Sequence, residues 1–249
     1  MRKFEIQSEN GYAISCMEWL PDGEHDGTVI CLHGFGGDKY SSVIAALAAS
    51  LTKKKKRVLA FDWPAHGDSR AADRDLTVEN CIRDLHLVYR RCRQSAADQP
   101  ISCFATSFGG YLAMIYRQQF PDDFSRIMLR SPALAMPEIL ISFMTEEERR
   151  AFDRGEKRNF GFHRPLLLDR SFYEDLKAYR PLSYEKEDLN GRVFIIHGDR
   201  DDVVPLDDSI MFSEKNQIEL YVVKGADHRY KHPGELEQIV EQAAAFLGA

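Results

Sequence analysis

The chain has 249 residues, of which 44% are apolar, and this is enough for one α/β domain with a substantial core. Its formal net charge of −6 argues against a nucleic-acid partner, because nucleic acids are bound by a clustered basic face. Residues 1–10 lack the apolar stretch of a signal peptide, and no segment approaches the ~20 apolar residues that span a bilayer. We therefore predict a soluble, cytoplasmic protein with no membrane partner.

Two minor features fit this prediction. The odd number of cysteines and the absence of C-x-x-C spacing indicate buried thiols in a reducing compartment, not disulfides or metal ligands. The five cysteines are Cys16, Cys31, Cys81, Cys92 and Cys103. The basic run at residues 53–57 is interpreted as the solvated end of a helix rather than a targeting or nucleic-acid patch.

The apolar pattern predicts an alternation of strands and helices. Predicted strands cover residues 4–7, 12–20, 28–32, 58–61, 101–105, 127–129, 193–196 and 218–223. Predicted helices include residues 45–47, 78–92, 108–120 and 235–247. This alternation with short connections indicates an α/β fold, a mostly parallel, doubly wound sheet that opens with an antiparallel hairpin. In such sheets the functional loops gather at the carboxyl ends of the strands.

Residues 134–183 interrupt the alternation, and the stretch is too long for an ordinary connection between two sheet strands. We interpret it as a small inserted cap or lid on a catalytic domain formed by residues 1–133 and 184–249. The alternative is a surface excursion with no role in substrate binding. Aromatic side chains of this segment either line an acyl or aryl pocket or simply pack the cap onto the core. They are Phe143, Phe152, Phe160, Phe162, Phe172 and Tyr173.

Ser107 is the candidate nucleophile. It follows the predicted strand 101–105, opens the helix 108–120, and has small residues two positions away on each side, Ala105 and Gly109. This strand–turn–helix context with small neighbours is what a nucleophile elbow requires. The alternative is a serine that merely caps a helix.

A serine hydroxyl needs a base, and four histidines follow Ser107 in the chain. His228 follows the last predicted strand and is the candidate base. His163 lies in the predicted cap, His197 is expected to bond to nearby backbone, and His232 is expected to be solvated. The acid that orients the base should follow the strand 193–196.

Three carboxylates follow that strand: Asp199, Asp201 and Asp202. The residues alone leave all three as candidates for the acid.

The oxyanion of an acyl-transfer reaction needs two backbone donors. The N–H of Phe108, directly after the nucleophile, is one candidate. The other is expected from the glycine-rich loop at residues 33–37, which lacks the G-x-x-x-x-G-K-[ST] pattern of a phosphate loop.

Taken together, these motifs resemble the α/β-hydrolase superfamily, and in particular small bacterial carboxylesterases of the cinnamoyl (feruloyl) esterase or monoacylglycerol lipase type. The resemblance makes Phe35 N–H the second oxyanion donor. It assigns the acid to Asp201, four residues after the histidine in H-G-x-x-D-x-x-V-P, and matches G-x-x-H at His228. Residues 62–69 resemble a structural D-x-x-G-H-G-x-S turn with alanine at the usual glycine, so His66 is not taken as a base.

The resemblance implies a serine hydrolase that cleaves small to medium carboxylic esters through an acyl-enzyme, with no cofactor and no metal. The expected partner is a small-molecule ester, and the protein is expected to be a monomer or homodimer. The same triad would also serve a peptidase, a thioesterase or a lyase. A ligand-binding protein without catalytic activity is the alternative from another functional class.

Overall fold

An eight-stranded sheet organises the described residues of this computed structural model, which are 1–96, 98–161 and 164–248. The strands along the described chain are β1 (Arg2–Gln7), β2 (Ala13–Trp19), β3 (Thr28–Leu32), β4 (Arg57–Phe61), β5 (Ile101–Thr106), β6 (Ile127–Arg130), β7 (Arg158–Asn159), β8 (Leu167–Leu168), β9 (Val193–Gly198) and β10 (Glu219–Val223). The sheet order is β1-β2-β4-β3-β5-β6-β9-β10, and β7 and β8 form a separate ribbon. Strands β1 and β2 pair antiparallel with each other, β2 pairs antiparallel with β4, and the pairs from β4 to β10 are parallel.

Helices cover both faces of this sheet. Those in the described residues are α1 (Ser42–Leu51), α2 (Val78–Ser95), α3 (Phe108–Gln119), α4 (Met136–Ser142), α5 (Glu146–Asp153), α6 (Arg170–Lys177), α7 (Leu206–Asn216) and α8 (Glu235–Leu247). Helices α1 and α8 bury their apolar sides in one core cluster, and α2 and α3 bury theirs in the other. The central strands β3 to β6 are buried along their whole length, which is why their sequences are continuous apolar runs rather than alternating ones.

The predicted fold class is therefore confirmed: a mostly parallel α/β sheet with an opening antiparallel hairpin. All five cysteines are buried, as predicted. The helix α7 was not predicted, because its sequence is largely polar and its apolar residues form no clear stripe. None of the helices in the described ranges combines the length and the apolar character that crossing a bilayer requires.

The interpretation of the basic run at residues 53–57 was wrong for its last two members. Lys53 to Lys55 are exposed, but Lys56 and Arg57 are buried. Arg57 opens β4, and its Nη2 lies 2.6 Å from Oε2 of the buried Glu18 on β2. A charge at the start of a buried strand is tolerated here because it is paired with a carboxylate across the sheet.

The segment 134–183 lies between β6 and β9 and contains α4, α5, the β7–β8 ribbon and α6. Helix α5 is highly charged, and Thr145 caps it with a reciprocal bond to Glu148. Hydrogen bonds with α3 and α2 are among the contacts that attach the segment to the sheet domain. Tyr111 Oη donates to Leu176 O at 2.8 Å. Val78 N donates to Asp175 Oδ2 at 2.7 Å. Phe162 and His163, named above, lie outside the described residues.

Candidate active site

Ser107 lies in the turn between β5 and α3, with a φ of +51° and a ψ of −114°. A positive φ in a residue other than glycine is strained, and such strain persists only where the surrounding structure enforces it. The Ser107 N–H donates to Arg130 O at 2.9 Å, and the Ser107 carbonyl accepts the N–H of Ala133 at 3.1 Å. The main chain of Ser107 is therefore held by the strand next to β5.

The small neighbours of Ser107 are required by close backbone approaches. A Cβ atom on Gly109 would lie 2.7 Å from Leu32 O, so no other residue fits there without moving β3. Ala105 is fully buried in β5. A Cβ on Gly34 would lie 3.3 Å from Ser107 Cβ, which shows that the loop after β3 lies directly against the candidate nucleophile.

His228 and Asp201 are in contact. His228 Nδ1 lies 2.8 Å from Asp201 Oδ2, while Asp201 Oδ1 accepts the N–H groups of Val203 and Val204 at 2.9 and 2.8 Å. His197 Nε2 lies 3.3 Å from the same Oδ2. Burial alone would raise the pKa of the Asp201 carboxyl, but the hydrogen bonds from His197 and His228 outweigh it and hold that pKa well below its usual range. Asp201 is therefore ionised and fixed in orientation.

The other two carboxylates of this loop are placed differently. Asp199 Oδ1 accepts the N–H of Gly225, and Asp202 is exposed. Asp201 is thus the aspartate that the structure brings to His228, out of the three that the residues alone left open. No Ser107–His228 hydrogen bond is found among the described residues.

The remaining described histidines occupy other environments. His197 Nε2 lies 3.1 Å from Val204 O, the nearby backbone bond expected of it, and its Nδ1 lies 2.8 Å from the side-chain oxygen of Ser209, which was not expected. His232 is exposed. His66 is buried, with Nδ1 2.9 Å from Pro64 O, and burial lowers its pKa to about 3. A histidine that resists protonation in this way is a poor general base at neutral pH.

The two candidate oxyanion donors lie on either side of Ser107. Phe108 is the first residue of α3, so its N–H has no partner within the helix. No partner for the Phe35 N–H is found in the part of the chain that the structure describes. The rings of the two residues pack edge to face, with centroids 5.4 Å apart. The N–H groups of Phe35 and Phe108 are thus both available to donate to an oxyanion.

Aromatic side chains connect this loop to the segment 134–183. The Phe35 ring stacks on Phe172 with centroids 5.8 Å apart, and it meets Phe160 edge to face at 6.3 Å. We call Phe35, Phe108, Phe160 and Phe172 the aromatic cluster. Phe152 is buried behind it against Phe160, whereas Phe143 is exposed.

Two residues near the site were not singled out from the sequence. Arg130 donates from Nη2 to the His228 carbonyl oxygen at 3.0 Å, and Lys39 is fully buried beside the loop after β3. The sequence signal that could have identified Arg130 is its position directly after a predicted apolar strand, because the carboxyl ends of parallel strands are where functional residues gather. Lys39 follows the glycine-rich loop, where a lysine would ordinarily be assigned to the surface.

Comparison with known proteins shows where this architecture recurs. The sequence profile of a family described as the alpha/beta hydrolase fold matches residues 27–164. The chain is 28% identical to human monoacylglycerol lipase ABHD6 over 112 residues, which are 44% of this chain and 31% of that protein. It is 28% identical to caffeoylshikimate esterase of Arabidopsis thaliana over 141 residues, covering 55% of this chain and 42% of the esterase. The matched stretches thus span less than half the length of these curated relatives.

The solved structure of Est1E from Butyrivibrio proteoclasticus with bound ferulic acid superposes on this chain with a TM-score of 0.83. The two are 22% identical, and the superposition covers 98% of this chain and 97% of Est1E. A likeness at this identity shows the fold alone.

Proposed function

This chain belongs to the α/β-hydrolase fold family, and from that premise we propose that it is a serine hydrolase that cleaves carboxylic esters. The observation that carries the proposal is the His228–Asp201 contact of 2.8 Å on the same edge of the sheet as the strained Ser107 turn. An oriented imidazole and a serine held in a strained turn are the two parts that nucleophilic acyl transfer requires.

In the proposed reaction, Ser107 Oγ attacks the ester carbonyl carbon while His228 Nε2 takes the hydroxyl proton. Asp201 holds His228 through Nδ1 and stabilises the imidazolium that forms. The tetrahedral intermediate collapses by breaking the bond to the alcohol oxygen, which receives the proton from His228. Water then attacks the acyl-enzyme carbonyl carbon while His228 takes its proton. The second tetrahedral intermediate breaks its bond to Ser107 Oγ, which receives that proton, and the acid product leaves.

The N–H groups of Phe35 and Phe108 are assigned the role of hydrogen-bonding to the negative charge that develops on the carbonyl oxygen. Removing one such donor typically lowers kcat 10²- to 10³-fold, because the donors are fixed in advance and cost no reorganisation. The packing of the Phe35 ring against Phe108 and Phe172 supports the loop in this role, since it ties the first donor to α3 and to the segment 134–183.

For substrates we propose small to medium esters with an apolar or aromatic acyl group. Within the aromatic cluster, Phe35 and Phe160 are half-buried and offer ring surface to such a group, while the buried rings of Phe108 and Phe172 pack against Phe35. The segment 134–183 is then the cap that carries half of this surface. The names of the relatives, a monoacylglycerol lipase and a caffeoylshikimate esterase, and the ferulic acid bound to Est1E support this class.

A fluorophosphonate probe and a panel of p-nitrophenyl esters, methyl ferulate, acyl-CoA and aminoacyl amides test the proposal. Wild-type protein is expected to be labelled and to turn over esters best. Ser107→Ala should lose labelling and at least 10⁴-fold in ester kcat, as removal of a nucleophile does in other triads. Ser102→Ala, on the same strand, is the matched control and should retain both.

Labelling that persists in Ser107→Ala would show that another residue is the nucleophile. Amide or thioester turnover that exceeds ester turnover would replace the esterase with a peptidase or a thioesterase. Absence of both labelling and turnover would favour a binding protein on this fold.

A further inference from the structure

Arg130, the last residue of β6, contacts the main chains of both Ser107 and His228. Its carbonyl oxygen accepts the Ser107 N–H at 2.9 Å, and its guanidinium Nη2 donates to the His228 carbonyl oxygen at 3.0 Å. The nucleophile and the base come from segments 121 positions apart in the chain. Arg130 therefore connects the Ser107 and His228 segments, through its carbonyl group on one side and its guanidinium on the other.

The environment of the Arg130 side chain is unusual for a cation. The residue is buried, and within the described residues its Nε has no hydrogen-bond partner. Its guanidinium carbon lies 4.4 Å from the centroid of the Tyr230 ring, an attractive contact between a cation and an aromatic face. Burial lowers the pKa of Arg130, against the attraction of Tyr230, Asp201 and Asp227. Burying a charge in this way costs free energy, which the contacts of the guanidinium must offset.

The backbone around Arg130 is strained on both sides of the contact. Ser131 has a φ of +41° and Tyr230 a φ of +53°, although neither is glycine. Their hydroxyl oxygens lie 3.2 Å apart. The loop that carries His228 thus contacts the end of β6 at two points, the Arg130 guanidinium and the Ser131 hydroxyl. Positive φ values are retained where neighbouring contacts leave the chain no alternative.

We propose that Arg130 is a positioning residue that sets the separation of the Ser107 and His228 main chains. This inference rests on the proposed function, because it assigns the two residues to one reaction. The contacts of Arg130 are with the main chains of Ser107 and His228 and not with the Ser107 hydroxyl or the His228 ring, so its loss should slow acylation and deacylation, which both use His228, and not weaken substrate binding. A misplacement of about 1 Å between reacting groups lowers rates on the order of 10²-fold.

The test compares Arg130→Met, Arg130→Lys and the wild type in p-nitrophenyl acetate hydrolysis. Arg130→Met should lower kcat 10- to 100-fold and leave KM within threefold, because the apolar chain fills the space but cannot hold the His228 carbonyl. Arg130→Lys keeps a cationic donor and should recover kcat to within about fivefold of wild type. The matched control is Arg117→Met, another buried arginine, which pairs with Glu187 instead and should keep kcat.

A second measurement is independent of activity. Hydrogen exchange of the amides at residues 225–230 should quicken at least tenfold in Arg130→Met and stay near wild type in Arg130→Lys. Wild-type kcat and exchange rates retained in Arg130→Met would overturn the inference, as would equal losses in the Met and Lys variants. Failure of the proposed function is seen separately, as missing ester turnover in the wild type, and the exchange comparison still decides the role of Arg130.

Discussion

The carboxylate of Asp62, directly after β4, organises the floor of the candidate site. It accepts the N–H groups of Lys39 and Asp68, each at 2.8 Å, and the Lys39 ammonium at 2.5 Å. A Cβ on Gly67 would lie 2.4 Å from Asp62 Cγ, so the turn closes around this carboxylate only because glycine stands there. Lys39 follows the loop that carries Phe35, and its ion pair with Asp62 therefore connects that loop to the turn after β4.

Replacing Lys39 tests the strength of this connection. The Lys39 side chain is fully buried, so Lys39→Met would leave Asp62 as a buried, uncompensated charge. We expect a loss of about 3–5 kcal/mol in the free energy of unfolding, the cost of breaking a buried pair by removing one partner. Urea denaturation followed by intrinsic fluorescence measures it.

The control for this variant is Lys54→Met, at an exposed lysine, which should change stability by less than about 0.5 kcal/mol. Adding Asp62→Asn to Lys39→Met should restore part of the loss, because it removes the buried charge, although the amide oxygen can accept only one of the two backbone N–H groups. If the free energy of unfolding of Lys39→Met lies within about 1 kcal/mol of the wild-type value, the Lys39–Asp62 ion pair does not make the expected contribution to stability.

Sequence patterns anticipated some of these residues and missed others for a physical reason. Ser107 and His228 lie in local contexts, a strand–turn–helix and a loop after a strand, that a linear pattern can register. Their long-range partners depend on which strands become neighbours. Arg130 meets His228 only because β6 and β10 lie on either side of β9 in the sheet, and Lys39 meets Asp62 only because β3 lies beside β4.

At the scale of elements, a buried carboxylate fastens the opening hairpin to α2. Asp84 on α2 is fully buried, and its two oxygens accept the hydroxyls of Ser8 and Tyr12, each at 2.9 Å. Burial raises the pKa of Asp84 from 3.8 to about 6, although the two hydroxyl bonds act in the opposite direction. The hairpin was predicted from its strands, but its attachment to α2 was not, because Asp84 lies among the apolar positions of that helix.

This pKa predicts a specific dependence of stability on pH. Between pH 6 and 4 the folded chain keeps a proton on Asp84 that the unfolded chain has released, so this group stabilises the fold as pH falls through that window. Two pKa units correspond to on the order of 3 kcal/mol. Asp84→Asn removes the titration, and the stability difference between wild type and variant should therefore shift in favour of wild type by up to that amount from pH 7 to 4.

Urea denaturation at each pH measures this difference, and Glu79→Gln, at an exposed carboxylate on the same helix, is the matched control. Its stability should run parallel to that of the wild type between pH 7 and 4. The same parallel course for Asp84→Asn would show that Asp84 is not protonated in the folded protein near pH 5.

At the scale of the whole molecule, the segment 134–183 shares its core with the sheet. Leu166, Leu168, Phe172 and Leu176 are buried in the same apolar cluster as the β5 residues Cys103 and Ala105. The length and irregular pattern of the segment predicted an insertion. They could not predict how it docks, because the partners of its residues lie far away in the chain, on α2, α3 and the loop after β3.

The shared core predicts that the segment and the sheet unfold together. Native-state hydrogen exchange in increasing urea should give the α6 amides the same opening free energy as the β5 amides, because opening α6 alone would expose the buried faces of Phe172 and Leu176. Phe172→Ala should lower both values equally, by about 3–5 kcal/mol. If instead α6 opens at a lower free energy and Phe172→Ala lowers only that value, the segment moves as a separate unit over a rigid site. Substrate would then enter by local opening of α6, whereas joint unfolding requires it to enter past the edge of a cap that stays closed.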